Sequence, residues 1–374
     1  MRIESAPREA RARAYTILGK RAAAAGEPLI RYLDLGVRVV RLICHSAAFL
    51  HHVERQMACS LKERAAQYDA TLIIWQEHSV QDTALALLAV FDRQLYTRLR
   101  LKRLQGHSAG IEGLVVHDEA FERHFPLIDV NPDDGSVTAW EPEGNTYYYA
   151  VENLEPEEFI KRGHIFVQTL FRICRLPQGS LVHGAVVGLN GIGVLLCAFG
   201  YRGKSTLCVN ALLDGFEYVS DDYLILGKTD CLRAWPIYSI VALSPQAYSA
   251  MFDSFNGKFL SNNARKDKYM FSIAAYHDRF RFGYPVKLCM FPHICACGVP
   301  SIEPGYRETC VNELAFSTLN NTGDQKDAMT IGKLYSFVMG MPTYRFNLSR
   351  NITANTRCLR EFLETWAPER PNVH

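Results

Sequence analysis

Long apolar runs are what this sequence most plainly lacks. The longest weakly polar stretch, Ser180 to Gly200 (SLVHGAVVGLNGIGVLLCAFG), is broken by His183, Asn190 and several glycines, so it reads as two strands and a turn and not as a membrane-spanning helix. The opening residues, MRIESAPREARARAY, mix charges of both signs without the apolar segment of a secretory signal. Charge of one sign is also missing: 41 Lys and Arg stand against 39 Asp and Glu, so no global field draws nucleic acid or an anionic membrane, and neither is expected as a partner. The 11 cysteines are scattered, odd in number and without framework spacing, which favours free thiols and a cytoplasmic location. No internal repeat or extended low-complexity tract is present.

What is present is an ordinary globular composition, 48% apolar and 21% charged, over 374 residues, enough for two domains with their own cores. We place the boundary near residues 152 to 160, giving an N-terminal α/β module over 1–152, expected to recognise an acceptor, and a catalytic domain over 153–374. In the first, Ala10 to Ala25 has helix-forming composition but a weak apolar face, which predicts a loosely docked helix. Strands are predicted at Val37–Cys44, Ala70–Trp75 and Thr146–Val151, with a helix over Ala48–Leu61. In the second, Pro156 to Arg175 carries apolar residues at helical spacing.

The densest signal follows. Gly193 to Ala198 is an apolar run of strand length, ended by Phe199-Gly200-Tyr201-Arg202-Gly203, after which Ser205 to Leu213 has helical composition. Strand, glycine-bearing loop and helix N-terminus is the setting of a phosphate-binding loop: main-chain N–H groups and the helix dipole meet phosphate oxygens, a lysine reaches the terminal phosphates and the next hydroxyl ligates Mg²⁺. Lys204 and Ser205 occupy those two positions. The usual spacing would put glycine where Ala198 stands. Glu217 to Ser220 reads as the next strand, ending in Asp221-Asp222. Carboxylates at that strand end are placed to hold the metal and to accept a proton, one task each, because adjacent strand residues point to opposite faces.

These residues resemble a family. Leu181-Val182-His183-Gly184-Ala185, then Gly191-x-Gly193-Val194-Leu195-Leu196, Gly200-x-x-Gly203-Lys204-Ser205 and Gly215-x-x-x-Val219-Ser220-Asp221-Asp222 together resemble the C-terminal domain of HPr kinase/phosphorylase, within Ser180 to Leu226. The resemblance implies an α/β fold, a PEP-carboxykinase-like P-loop domain with a mixed central sheet, behind the smaller N-terminal α/β module. It implies a kinase using ATP and Mg²⁺. Gly200, Tyr201, Arg202, Gly203, Lys204, Ser205 and Thr206 would bind the nucleotide, and Ser205 with Asp222 the metal. Asp221 would be the base, His183 would orient the transferred group, and Lys204 would neutralise its charge. Tyr201 and Arg202 are bulky for a family loop; Arg202 would either face solvent or act as an arginine finger. The acceptor would be a serine hydroxyl of a protein or peptide, or a small metabolite, and a homo-oligomer is left open. The alternatives are a nucleotide-binding regulator without turnover, and a carboxykinase-like or phosphorolytic enzyme.

Other groups read as structural. Cys289, His293, Cys295 and Cys297 are too tightly spaced for a zinc site and suggest a buried strand. His51 and His52 are read as helix surface. Arg265, Lys266 and Lys268 are read as a solvated loop, with contact to acceptor or phosphate the lesser alternative, and Tyr276 to Pro285 as a packed loop or wall.

Overall fold

The computed structural model describes residues 2–3, 6–92, 114–116, 127–131, 135–153, 163–263, 267–295, 298–322 and 328–367. The chain divides into two compact units: the first comprises Met1–Asp34, Arg38–Glu54 and Leu61–Phe159, the second Leu35–Val37, Arg55–Ser60 and Ile160–His374. Both are mixed α/β.

In the first unit, helix α1 (Arg8–Ala24) precedes strands β2 (Leu29–Asp34) and β3 (Val39–Cys44), after β1 (Arg2–Ile3). Helix α2 (Ala47–Met57), β4 (Leu61–Lys62), β5 (Ala70–Glu77) and α3 (Val80–Phe91) follow, then β6 (Leu114–Val116), β7 (Ile128–Asn131), β8 (Ser136–Glu141) and β9 (Thr146–Glu152). The strands form one sheet in the order β1-β6-β7-β8-β9-β5-β3-β2-β4. The α1 helix is not loosely docked, as its weak apolar face had suggested. Ala10, Ala14, Tyr15, Leu18 and Ala22 are buried, and the Tyr15 ring stacks on Tyr148 while its hydroxyl donates to the Trp140 carbonyl at 2.8 Å. Alanines make little apolar stripe but let a helix approach closely. His52 is likewise not surface: it is 2% exposed, beside Phe49.

The second unit begins, among the described residues, with α4 (Val167–Ile173), shorter than the helix predicted over Pro156–Arg175. Its N-cap Phe166 has φ 61° and Gly163 has φ 95°, so the backbone turns before the helix starts; residues 154–162 lie outside the described residues. Then come β10 (Gly179–His183), β11 (Ala185–Leu189), β12 (Ile192–Leu196), α5 (Lys204–Leu213), β13 (Glu217–Ser220), β14 (Tyr223–Lys228) and β15 (Leu232–Pro236). Ser180 to Gly200 therefore holds three strands where two had been predicted. Next are β16 (Ile240–Leu243), α6 (Pro245–Met251), β17 (Lys258–Asn263), β18 (Lys268–Ser272), β19 (Tyr284–Ile294), β20 (Ser301–Pro304), α7 (Arg307–Thr322), α8 (Ala328–Met339), β21 (Thr343–Leu348) and α9 (Ile352–Thr365). A large mixed sheet runs β10-β14-β15-β19-β12-β11-β13 with β21 and β20 beyond β19, and β16-β18-β17 form a separate small sheet.

The β10 to β12 segment is buried on both faces, as a central sheet requires of near-continuous Val, Leu and Ala. Strand β12 is parallel to β19, and β19 to β21, so their carboxyl ends share one edge. Strand β13 is antiparallel to β11, itself antiparallel to β12, which brings the end of β13 to that edge too. In open α/β sheets that edge is where ligands bind. Register sharpens this. Ala185 stands opposite Leu196 and Val186 opposite Ser220, so His183, Asp221 and Asp222 come level with the end of β12, where the glycine loop begins.

Candidate functional site

The loop leaves β12 at Cys197, whose N–H donates to the Met290 carbonyl at 2.8 Å. It is tied to α7 by a 2.9 Å hydrogen bond from the Phe199 N–H to Glu313 Oε2. Two residues turn it through the left-handed region, Tyr201 at φ 64° and Gly203 at φ 88°. Glycine is required at 203, because a Cβ there would stand 2.8 Å from Leu348 Cδ1. Tyrosine at 201 is not required by backbone geometry, and its conformation costs about 1 kcal/mol or more.

Helix α5 starts at Lys204, so its first N–H groups, which no intrahelical carbonyl accepts, face the loop. Lys204 is buried, and its Nζ donates back to the Ala198 carbonyl and, at 3.2 Å, to the Phe199 carbonyl. Burial pushes its ammonium below the ordinary lysine range, and the Asp222 and Asp221 carboxylates oppose that push.

The adjacent aspartates go to different partners, as their alternation on a strand predicts. Asp221 is 3% exposed; it accepts from the Tyr218 hydroxyl at 3.0 Å on Oδ1, and the nearby Ser205 hydroxyl favours its charged form. Burial, and then the neighbouring Asp222 charge, push its carboxyl up to about 6. Its Oδ2 is buried with no hydrogen-bond partner among the described residues. Asp222 lies between two imidazoles, with Oδ1 2.5 Å from His183 Nε2 and Oδ2 3.3 Å from His164 Nδ1. Ser205 is near enough to influence Asp221, and it shares the cavity wall with Asp222, the acid the sequence reading had paired with it.

His183 is fixed from behind by α7. Its backbone N–H donates to Thr318 Oγ1 at 3.0 Å, its Nδ1 pairs with the Ser317 hydroxyl, and Ser317 donates to the His183 carbonyl at 3.2 Å. Tyr223 lies against both imidazoles, ring centroids 5.0 Å from His183 and 5.2 Å from His164, and Tyr238 lies 4.5 Å from His164.

A cavity of about 400 Å³ gathers these groups: His183, Gly200 through Thr206, Asp221 and Asp222 all line it. Every site residue named from the sequence is therefore brought to one place. Arg202 is exposed at the rim, its Nη1 3.5 Å from His293 Nδ1. The cavity wall also holds Ser244, Phe316, Ser317 and Asn320, which sequence reasoning had not assigned, and Lys268, for which phosphate or acceptor contact had been the lesser alternative. Lys268 opens strand β18 and is not on a solvated loop; Arg265 and Lys266 lie outside the described residues. A second cavity of about 280 Å³ shares Gly203, Thr206 and Ile294 with the first and is closed by Arg350, Ile352 and Asn355.

Among the described residues no group of three or more His, Cys, Asp or Glu is arranged to hold a metal ion. Cys289 is buried on β19 as expected; Cys295 is disulfide-bonded, against the expectation of free thiols throughout, and Cys297 lies outside the described residues. No described helix is long and apolar enough to cross a membrane.

No family model matches the chain, and none of the curated proteins does. Among solved structures, the HPr(Ser) kinase/phosphatase from Coxiella burnetii is similar to it at 11% identity, over 49% of this chain and 95% of that one, with a TM-score of 0.26. A superposition at that score does not establish a shared fold.

Proposed function

We propose that the second unit is a Mg²⁺-dependent phosphotransferase that moves the terminal phosphoryl group of ATP to a hydroxyl acceptor, a serine of a peptide or protein or a small metabolite. The observation that carries this reading is the convergence, in one cavity, of Lys204 at a helix N-terminus with Ser205, Asp221 and a histidine-held Asp222. Triphosphate lies over the amides of Gly200 to Ser205, and the adjoining apolar cavity takes the nucleoside. Lys204 exchanges the Ala198 and Phe199 carbonyls for phosphate oxygens.

Mg²⁺ is bound through one or two carboxylates together with phosphate oxygens and water, so a cluster of three protein acids is not needed. Asp221 fits: its Oδ2 is buried and unpartnered, it lines the same cavity as Ser205, and its charge, resisted by burial, is what a cation stabilises. Ser205 and Asp221 would hold the ion, which when bound neutralises charge on the phosphates. Asp222, which lines the cavity with its carboxylate held by His183 and His164, takes the acceptor's proton. The two aspartates thereby exchange the roles first expected of them. Most of the rate then comes from positioning and charge stabilisation.

A second reading is favoured by one observation: the Lys204 ammonium is already satisfied by its own loop carbonyls, as suits a nucleotide-binding regulator without turnover. A screen of peptides and metabolites with γ-labelled ATP separates the two. Wild type is expected to transfer label only with Mg²⁺. Asp222→Asn should still bind ATP but lose about 10²- to 10⁴-fold in transfer, and Lys204→Met should lose binding. Binding without transfer to any acceptor supports the regulator; no ATP binding by wild type overturns both.

A further inference from the structure

We infer that Lys268 is a second phosphate-binding cation of this cavity, delivered by the small sheet and held over the glycine loop by the ring of Tyr201. The inference rests on the reading of the cavity as a polyphosphate site and adds a residue to it. Lys268, the first residue of β18, pairs with Asn263, the last of β17, at the turn end of that hairpin, and lines the cavity wall. Its Nζ lies 5.4 Å from the centroid of the Tyr201 ring, inside the range of a cation–π contact.

Tyr201 is 73% exposed, and its backbone is left-handed where glycine would sit without strain. A ring in that place does one thing glycine cannot: it offers a face to a cation from another element. The bulk that makes the loop unlike its family's therefore supplies a contact.

The charge balance points the same way. Lys204 and Lys268 both line the cavity, so two cationic side chains face the same space. Of the two acids present, Asp222 is taken up by His183 and His164. An anion seated between the two ammonium groups relieves their repulsion, and polyphosphate is the anion the helix N-terminus already favours. The ring pre-organises Lys268 for it, so less side-chain freedom is lost on binding.

Calorimetric titration with inorganic tripolyphosphate tests this without an acceptor or a nucleoside. Lys268→Met is expected to weaken binding about tenfold while melting with wild type, and Lys268→Arg to recover to within about threefold, because the lost group is a charge-assisted donor. Tyr201→Phe, which keeps the ring face, should bind as wild type; Tyr201→Asn, which tolerates the left-handed backbone, should weaken binding about two- to fivefold. Wild-type affinity in Lys268→Met, with binding lost in Lys204→Met, overturns the role of Lys268 and leaves the phosphate reading standing. Equal loss in Tyr201→Phe and Tyr201→Asn overturns the role of the ring. No uptake of tripolyphosphate by wild type overturns both the inference and the reading beneath it.

Discussion

Replacing Asp221 by asparagine should make the fold more stable and the site incapable of its task. The carboxyl is raised from 3.8 to about 6, chiefly by burial. At about 1.4 kcal/mol per pH unit, that resistance to ionisation is on the order of 3 kcal/mol once pH exceeds both values. The sign follows from proton binding: the folded chain holds the proton more tightly, so its contribution is favourable at low pH, declines between 3.8 and about 6, and is level above. Asparagine is neutral throughout and can still accept from Tyr218, but its amide N–H groups would stand where Oδ2 has no partner, a cost of about 1 kcal/mol. The net gain at about pH 7.5 is about 2 kcal/mol, a rise of roughly 4 to 8 °C in melting temperature for a unit of this size. At about pH 4.5 the gain should be smaller by about 2 kcal/mol. Thermal melts in chelator across this range read the difference directly, and Mg²⁺ with ATP should then stabilise wild type but not the variant. A variant that melts below wild type at about pH 7.5, or by the same margin at both pH values, would refute the reasoning.

Gly203→Ala should cost about 2 kcal/mol or more in urea denaturation, because φ 88° disfavours a side chain and the new methyl meets Leu348 Cδ1 at 2.8 Å. His164→Asn should retain most phosphoryl transfer, since its amide nitrogen reaches where Nδ1 meets Asp222, whereas His164→Ala should lose about tenfold in kcat with KM for ATP unchanged. If ATP affinity falls instead, His164 supports the nucleotide and not Asp222. Ile352→Trp, placed in the wall of the second cavity, should weaken ATP at least about tenfold but leave tripolyphosphate unaffected, a comparison calorimetry makes directly.

The glycine loop and its acids were legible because local chemistry announces them. A short apolar run flanked by glycines reads as a buried strand, Gly203 stands where Lys204 begins a helix, and Ser220-Asp221-Asp222 ends the following strand. Which acid the two histidines would hold was not legible. Alternation says the two acids part company, but the side each takes depends on how the chain passes from β13 into β14 at that point. His164, Glu313 and Ser317 were invisible as site residues, and Lys268 was read only as a lesser alternative, because each arrives from a distant segment through register and helix packing, with no spacing to mark it. The α1 helix shows the converse: composition announced it, while burial through Ala10, Ala14 and Ala22 left no apolar stripe to read.

The most direct measurement is a crystal structure with a non-hydrolysable ATP analogue and Mn²⁺, located by its anomalous signal. The β- and γ-phosphates should lie on the amides of Gly200 to Ser205, with the ion shared by Ser205 and Asp221 and the γ-phosphate facing Asp222. Nucleotide bound elsewhere, or an ion that neither Ser205 nor Asp221 touches, would contradict the assignment of this cavity.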